Sequence, residues 1–330
     1  MYQREIYAEA IARIDKRRQL ARLTQEQHTD QIRQEFPEAA EIERQLHQTC
    51  FSVLQVSRDT DEASRKKRLE DIRKKTETAD QMLRIILTEN GYPTDYLDVK
   101  YTCGICNDSG FSNGIPCECL KREIAKVGAE RMNANAMLTL CNFESFSLDY
   151  YADLPAEQFT AMQKIFTQCK TYAEQFSPNS PSIFMSGRTG LGKTHLSLAI
   201  ANVVLEKGWS VIYDSASALI RKIEQEKFSR TPDAQTSDTL GMLLDCDLLI
   251  FDDFGTEFDT SFTKSVLYTL FNGRLNNGKP TIISTNLELK DLQERYGDRI
   301  VSRLIASCQN MLFYGSDIRF KKWKKQLNQT

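Results

Sequence analysis

Residues 182–201 read SIFMSGRTGLGKTHLSLAIA. An apolar run of strand length passes through a glycine-rich loop into a run of helical character. Gly187, Gly190 and Gly192 let the backbone turn tightly, so that successive N–H groups point inward, as a phosphate requires. A helix beginning near Lys193 adds the positive end of its dipole. In that setting Lys193 reaches the β- and γ-phosphates of a nucleoside triphosphate, and the Thr194 hydroxyl binds Mg²⁺. The expected nucleotide-binding segment is therefore Gly187, Arg188, Thr189, Gly190, Leu191, Gly192, Lys193 and Thr194, with His195 after it. A strand before the loop and a helix after it are the context this pattern needs.

Working outward, other apolar runs alternate with helical stretches: SVIYDS, DLLIFDDFG, PTIISTN and NMLFYG. That rhythm predicts an α/β domain whose parallel sheet is covered by helices on both faces. The run Asp247–Phe251 ends in Asp252 and Asp253. Carboxylates at the carboxyl end of a parallel strand lie in the crevice where ligands bind. Asp252 is the expected Mg²⁺ ligand and Asp253 the base that orients an attacking water. Asn286, after the strand Thr281–Ser284, either contacts the γ-phosphate or the water, or caps the next helix.

Toward the amino end the composition changes. Residues 1 to about 90 hold one proline, Pro37, and no glycine before Gly91. Apolar positions Ile6, Ile11, Ile14, Leu20 and Leu23 recur at helical spacing. Leu46, Phe51, Leu54 and Val56 continue the pattern, followed by Leu69, Ile72, Met82, Leu83 and Ile86. Narrow apolar stripes with broad charged faces fit either a solvated helical bundle or an arm that docks a partner protein. Residues 91 to about 125 turn to Gly, Pro, Asn, Asp and Cys, which is turn chemistry. Within them, Cys103-x-x-Cys106 and Cys117-x-Cys119 offer four thiols for one structural Zn²⁺. Free thiols, a labile disulfide and an iron–sulfur cluster are the alternatives. The expected division is a helical region 1–90, a cysteine-rich zinc knuckle and linker 91–135, and a nucleotide-binding domain 136–330.

The charge balance excludes a strongly basic duplex binder, since the net charge is −2 and the pI near 6.1. The one concentrated basic run, Arg319, Lys321, Lys322, Lys324 and Lys325, reads as a solvated helix end or a phosphate-contacting patch. There is no apolar run of membrane-spanning length and no apolar core of a secretory signal in the first 20 residues. Nine cysteines, five of them scattered, argue against a disulfide scaffold. A cytoplasmic protein without a membrane partner is the expectation.

In combination, GRTGLGKTH, LLIFDDFGTE, FNGRLNNGKPTIISTN and ERYGDRIVSRL resemble the DnaC/DnaI-like helicase loaders of the AAA+ ATPases, with the IstB transposition helpers as close relatives. The resemblance covers about residues 140 to 330. It implies an AAA+ fold with a five-stranded parallel sheet, Mg-dependent ATP hydrolysis, and self-association through ATP sites. It implies a sensor-1 role for Asn286 and a trans-acting arginine finger at Arg303, or second at Arg299. Arg319, in GSDIRF, matches the sensor-2 arginine. Phe143 and Phe146, in CNFESF, match a segment near the adenine, or are core residues. The family's loaders imply a zinc-containing N-terminal half that binds the replicative DNA helicase, with weak contact to single-stranded DNA. The alternative is an IstB-like transposition helper acting with a transposase. One departure from many AAA+ proteins is Asp253, where a glutamate is usual.

Overall fold

The computed structural model describes residues 2–42, 44–45, 62–134, 141–228 and 238–327. Leu46, Phe51, Leu54 and Val56 lie outside the described residues. The chain divides into two compact units, Ile11–Cys119 and Met1–Ala10 with Leu120–Thr330.

The first unit holds α1 (Tyr2–Glu35) from Ile11 onward and α2 (Glu62–Glu89), both long because their sequences lack internal glycine and proline. Their shared core is small: Ile32, Ala39, Leu83 and Leu87, with Phe36, Ile86, Tyr92 and Tyr96 packed against it. Aromatic polar ends finish the packing. Tyr92 donates to Glu35 at 2.6 Å, and the His28 ring stacks on Tyr96 at 4.1 Å. Leu20 and Leu23, expected on an apolar stripe, stay more than half exposed.

The cysteine-rich segment carries a hairpin, β1 (Phe111–Ser112) and β2 (Ile115–Pro116). Its turn is Asn113-Gly114, with φ of 52° and 78°. Positive φ at both central residues matches the twist of the flanking strands, and Asn-Gly tolerates it best. The turn chemistry expected to run to about residue 125 stops earlier, because α3 (Glu118–Met132) begins directly after Cys117. Past Pro116 no glycine interrupts the chain until Gly128, and Leu120 and Val127 are fully buried.

The larger unit follows the expected alternation. Its elements are α4 (Ala156–Glu174), β3 (Ser182–Ser186), α5 (Lys193–Glu206), β4 (Val211–Ser215) and α6 (Ala216–Phe228). Then come α7 (Thr239–Asp245), β5 (Leu248–Phe254), α8 (Ser261–Asn276) and β6 (Thr281–Thr285). The last are α9 (Leu289–Tyr296), α10 (Asp298–Ser307), β7 (Cys308–Leu312) and α11 (Ile318–Leu327). The five strands form one parallel sheet in the order β4-β5-β6-β3-β7.

Side chains alternate between its faces. Ile183, Met185, Leu248, Ile250 and Ile282 join α4 and α5 in one core, while Phe184, Leu249, Phe251 and Ile283 join α6, α8 and α10 in the other. Burial on both faces explains why the strands read as continuous apolar runs. One charge is sealed in the second layer. Arg274 is 1 % exposed and donates to the carbonyls of Leu243, Cys246 and Pro280 and to the Thr281 hydroxyl, tying α7 and α8 to the start of β6. No described helix is long and apolar enough to cross a membrane.

Candidate functional site

The loop between β3 and α5 closes so tightly against its surroundings that Gly187 and Gly192 leave no room for a side chain. At Gly187 (φ 141°) a Cβ would stand 2.7 Å from the Phe313 carbonyl. At Gly192 (φ 88°) it would stand 2.8 Å from both the Phe146 ring and the Tyr151 hydroxyl. That hydroxyl donates to the Leu191 carbonyl at 2.8 Å and pins the loop from below. The helix then starts at Lys193, so its free N–H groups face the loop.

Lys193 is 4 % exposed. Its Nζ donates to the carbonyls of Gly187 (2.7 Å) and Arg188 (2.9 Å) and to Asn286 Oδ1 (2.7 Å). A second amide contact extends this group, as Asn286 Nδ2 donates to Asp253 Oδ1 at 3.0 Å. Asn286 therefore bridges the loop lysine and the second acid.

The two acids pose a problem that simple strand alternation cannot solve, because consecutive side chains point to opposite faces. The ladder breaks there. Phe251 pairs with Ile283 but Phe254 with Thr285, so Asp252 and Asp253 together oppose Ser284. Asp253 takes φ 52°, a left-handed conformation that aspartate tolerates better than most residues. Both carboxylates thus reach the site. Asp252 accepts from Thr194 (2.9 Å), from Tyr213 (3.0 Å) and from Ser284. The same Ser284 hydroxyl accepts the Asp253 N–H at 3.0 Å. Burial, then the neighbouring Asp252, raises the Asp253 carboxyl above its usual range, with Asn286 and Lys193 opposing.

A cavity of about 580 Å³ opens over these groups. Thr189, Gly190, Leu191, Gly192, Lys193, Thr194, His195, Asp252, Asp253, Asn286 and Arg319 line it. Gly187 and Arg188 are not among the lining residues, and their carbonyls accept from Lys193. Arg299 and Arg303 are not in it: Arg303 donates to Asn272 at 2.6 Å, and Arg299 lies over the Tyr268 ring at 5.5 Å. Phe143 is a core residue in edge contact with Phe166, whereas Phe146 is both packed in that core and part of the cavity wall.

Five contributors are not marked in the sequence. Tyr213 and Ser284 brace Asp252, Tyr151 braces the loop, and Asn142 with Ser145 engages His195 Nε2 at 2.9 and 3.2 Å. Tyr213 sits in the middle of β4 and Ser284 one residue from the end of β6, and no local pattern singles either out.

Burial pulls the Lys193 ammonium down to about 8, the two aspartates opposing and Arg319 assisting. The cation is thus present below that pH and lost above it, while a bound triphosphate requires it. Nucleotide affinity is expected to fall about tenfold between pH 7 and pH 9, about 1.4 kcal/mol. Titration with a fluorescent ATP analogue at pH 7, 8 and 9 checks this; a flat profile would mean that the lysine stays charged.

In the smaller unit, the sulfurs of Cys103, Cys106, Cys117 and Cys119 all lie within 4.8 Å of one another. Cys103 and Cys117 are 3.8 Å apart, and Cys106 and Cys119 3.3 Å. Tetrahedral ligation with Zn–S bonds near 2.3 Å needs edges of about 3.8 Å, so the donor set fits a closed zinc site. Burial pushes the Cys106 thiol up, but hydrogen bonds from Cys119, Gly110 and the other two cysteines outweigh it and bring it to about 6. Asp108, fully buried, holds the first cysteine turn. It accepts from the N–H groups of Thr102 (2.8 Å) and Cys103 (3.0 Å) and pairs with Arg17 of α1 at 2.9 Å.

The model of the IstB-like ATP binding protein family matches residues 118–326. The replicative helicase loader DnaC of Buchnera aphidicola subsp. Schizaphis graminum is 25% identical over 185 residues, 56% of this chain and 69% of that protein. Escherichia coli (strain K12) DnaC is 24% identical over 164 residues, 50% of this chain and 62% of that protein. A crystal structure of the DnaC helicase loader aligns with a TM-score of 0.46 at 21% identity, over 54% of this chain and 99% of that one. With its glycine loop, paired acids and parallel sheet matched over most of its length, the chain belongs to the IstB-like ATP-binding protein family.

Proposed function

We propose that this chain is an ATP-dependent loader of the replicative DNA helicase, with ATP hydrolysis as its switch. The observation that carries the ATPase is the convergence of Lys193, Thr194, Asp252, Asp253 and Asn286 on one cavity. The DnaC relatives favour the loader over the transposition helper.

Lys193 holds the β- and γ-phosphates, exchanging the Gly187 and Arg188 carbonyls for phosphate oxygens. Thr194 and Asp252 would hold Mg²⁺, which neutralises developing phosphate charge when bound. Tyr213 and Ser284 keep the Asp252 carboxylate oriented. Asp253, with its raised proton affinity, orients the attacking water and takes its proton. Asn286 reads the γ-phosphate as sensor 1, because it touches both Lys193 and Asp253. Arg319 acts as sensor 2 from the cavity wall. Arg303, with Arg299 as the second candidate, completes the cavity of a neighbouring copy as an arginine finger, so that ATP joins subunits.

Residues 1–90 and the zinc knuckle form the half that grips the helicase, and residues 136–330 the AAA+ ATPase that delivers it to single-stranded DNA in the cytoplasm. The full chain, with ATP, is expected to retain the cell's replicative helicase on an affinity resin, with cross-links mapping to residues 1–130. Failure to retain the helicase removes the loader reading and leaves the ATPase standing.

A further inference from the structure

The helix α11 presents a surface that the nucleotide cavity leaves unused. From Ile318 to Thr330 the sequence contains no acidic residue. Lys321 is committed to the body of the domain, donating to the Tyr150 carbonyl and to Asp153 at 2.6 Å each. Lys322 lies over the Tyr150 ring at 5.6 Å. These two lysines seat the helix. Arg319 and Lys324 are exposed and make no ion pair among the described residues.

Between them stand two large rings in water, Phe320 at 65 % and Trp323 at 56 % exposure. Three positions apart, they are neighbours on one helix face. A run of cations alone is a solvated surface, and an aromatic pair alone fits an apolar partner. Together they match a ligand that offers negative charge and flat, unpaired rings at once. Single-stranded nucleic acid is that ligand, since base–aromatic stacking and phosphate neutralisation supply its binding energy. A duplex hides its base faces and could use only the charge.

We propose that α11 is a contact site for single-stranded nucleic acid, with Phe320 and Trp323 stacking on bases and Lys324 on a phosphate, while Arg319 stays with the nucleotide cavity. The site deepens the loader reading by giving the strand a binding face, and it rests on that reading for the strand being DNA. It lies beside the nucleotide cavity, since Arg319 belongs to the cavity wall.

The chain supplies its own reporter. Its two tryptophans are Trp209 and Trp323, so a full-length Trp209→Phe protein emits from Trp323 alone. Adding a 20-mer of thymidylate is expected to quench that emission. Affinity for the oligonucleotide is expected to fall with salt at a slope of about −0.7, the value for one phosphate contact on a single strand. Trp323→Ala and Phe320→Ala are each expected to weaken binding of the labelled 20-mer at least about fivefold, while Trp323→Phe, which keeps a stacking ring, stays near wild type. ATP turnover is unchanged in all three. Binding that neither alanine variant weakens overturns the site, as does wild-type protein that ignores the 20-mer at low salt. Trp323 emission that answers to anionic vesicles or to protein concentration, but not to the strand, assigns α11 to a membrane surface or a second copy and also overturns it. Helicase retention tests the loader reading separately.

Discussion

Lys193→Ala protein is expected to lose ATP turnover by at least about 100-fold, the scale for removing one preorganised donor from developing transition-state charge. Turnover by a coupled assay and binding of a fluorescent ATP analogue measure it. The physical case is the position of the ammonium. It is buried and held by two loop carbonyls and Asn286, so no other cation can move into its place without rebuilding the loop. Folding is expected to survive. Burial already works against this charge, so deleting it relieves a desolvation cost while the two carbonyls turn to water in an open cavity. Normal hydrolysis by the variant would show that ATP is turned over elsewhere.

The second large effect concerns the cysteine cluster. Protein purified without chelator is expected to hold one Zn²⁺ per chain by elemental analysis. Cys106→Ser is expected to lose the metal and, with it, the protease resistance of residues 101–119. Structural zinc contributes on the order of 10 kcal/mol of apparent binding energy in small zinc domains, and without the metal such segments do not stay folded. This segment has little else: its hairpin strands are two residues each, and Phe111 and Ile115 are exposed. Damage is expected to reach α1 as well, because the buried Asp108 between the cysteine pairs carries the ion pair to Arg17. Finding no zinc would remove the idea.

What the sequence made legible was whatever local backbone chemistry dictates. The glycine loop, the helix start at Lys193 and the buried central strands β3, β5 and β6 each announce themselves within a few residues. Asp252, Asp253 and Asn286 were legible because strand ends deliver side chains to one crevice. Tyr213, Ser284 and Tyr151 were not, since an ordinary tyrosine or serine becomes a brace only when distant segments meet. Cys119 reads as part of a loop, yet it sits in the first turn of α3, a placement set by packing of Leu120 and Val127. The residues matched to an arginine finger lie outside the chain's own cavity, where no property of one chain could mark them.

The bulge in β5 has a practical bearing on how the second acid can be studied. Two adjacent aspartates of identical chemistry are not interchangeable, because only Asp253 occupies left-handed backbone. Alanine there would remove a carboxylate and also load about 1–2 kcal/mol of conformational strain onto the turn. Asparagine accepts the same backbone and keeps the size, so it separates charge from geometry. An alanine scan of this strand end would report architecture in the guise of chemistry.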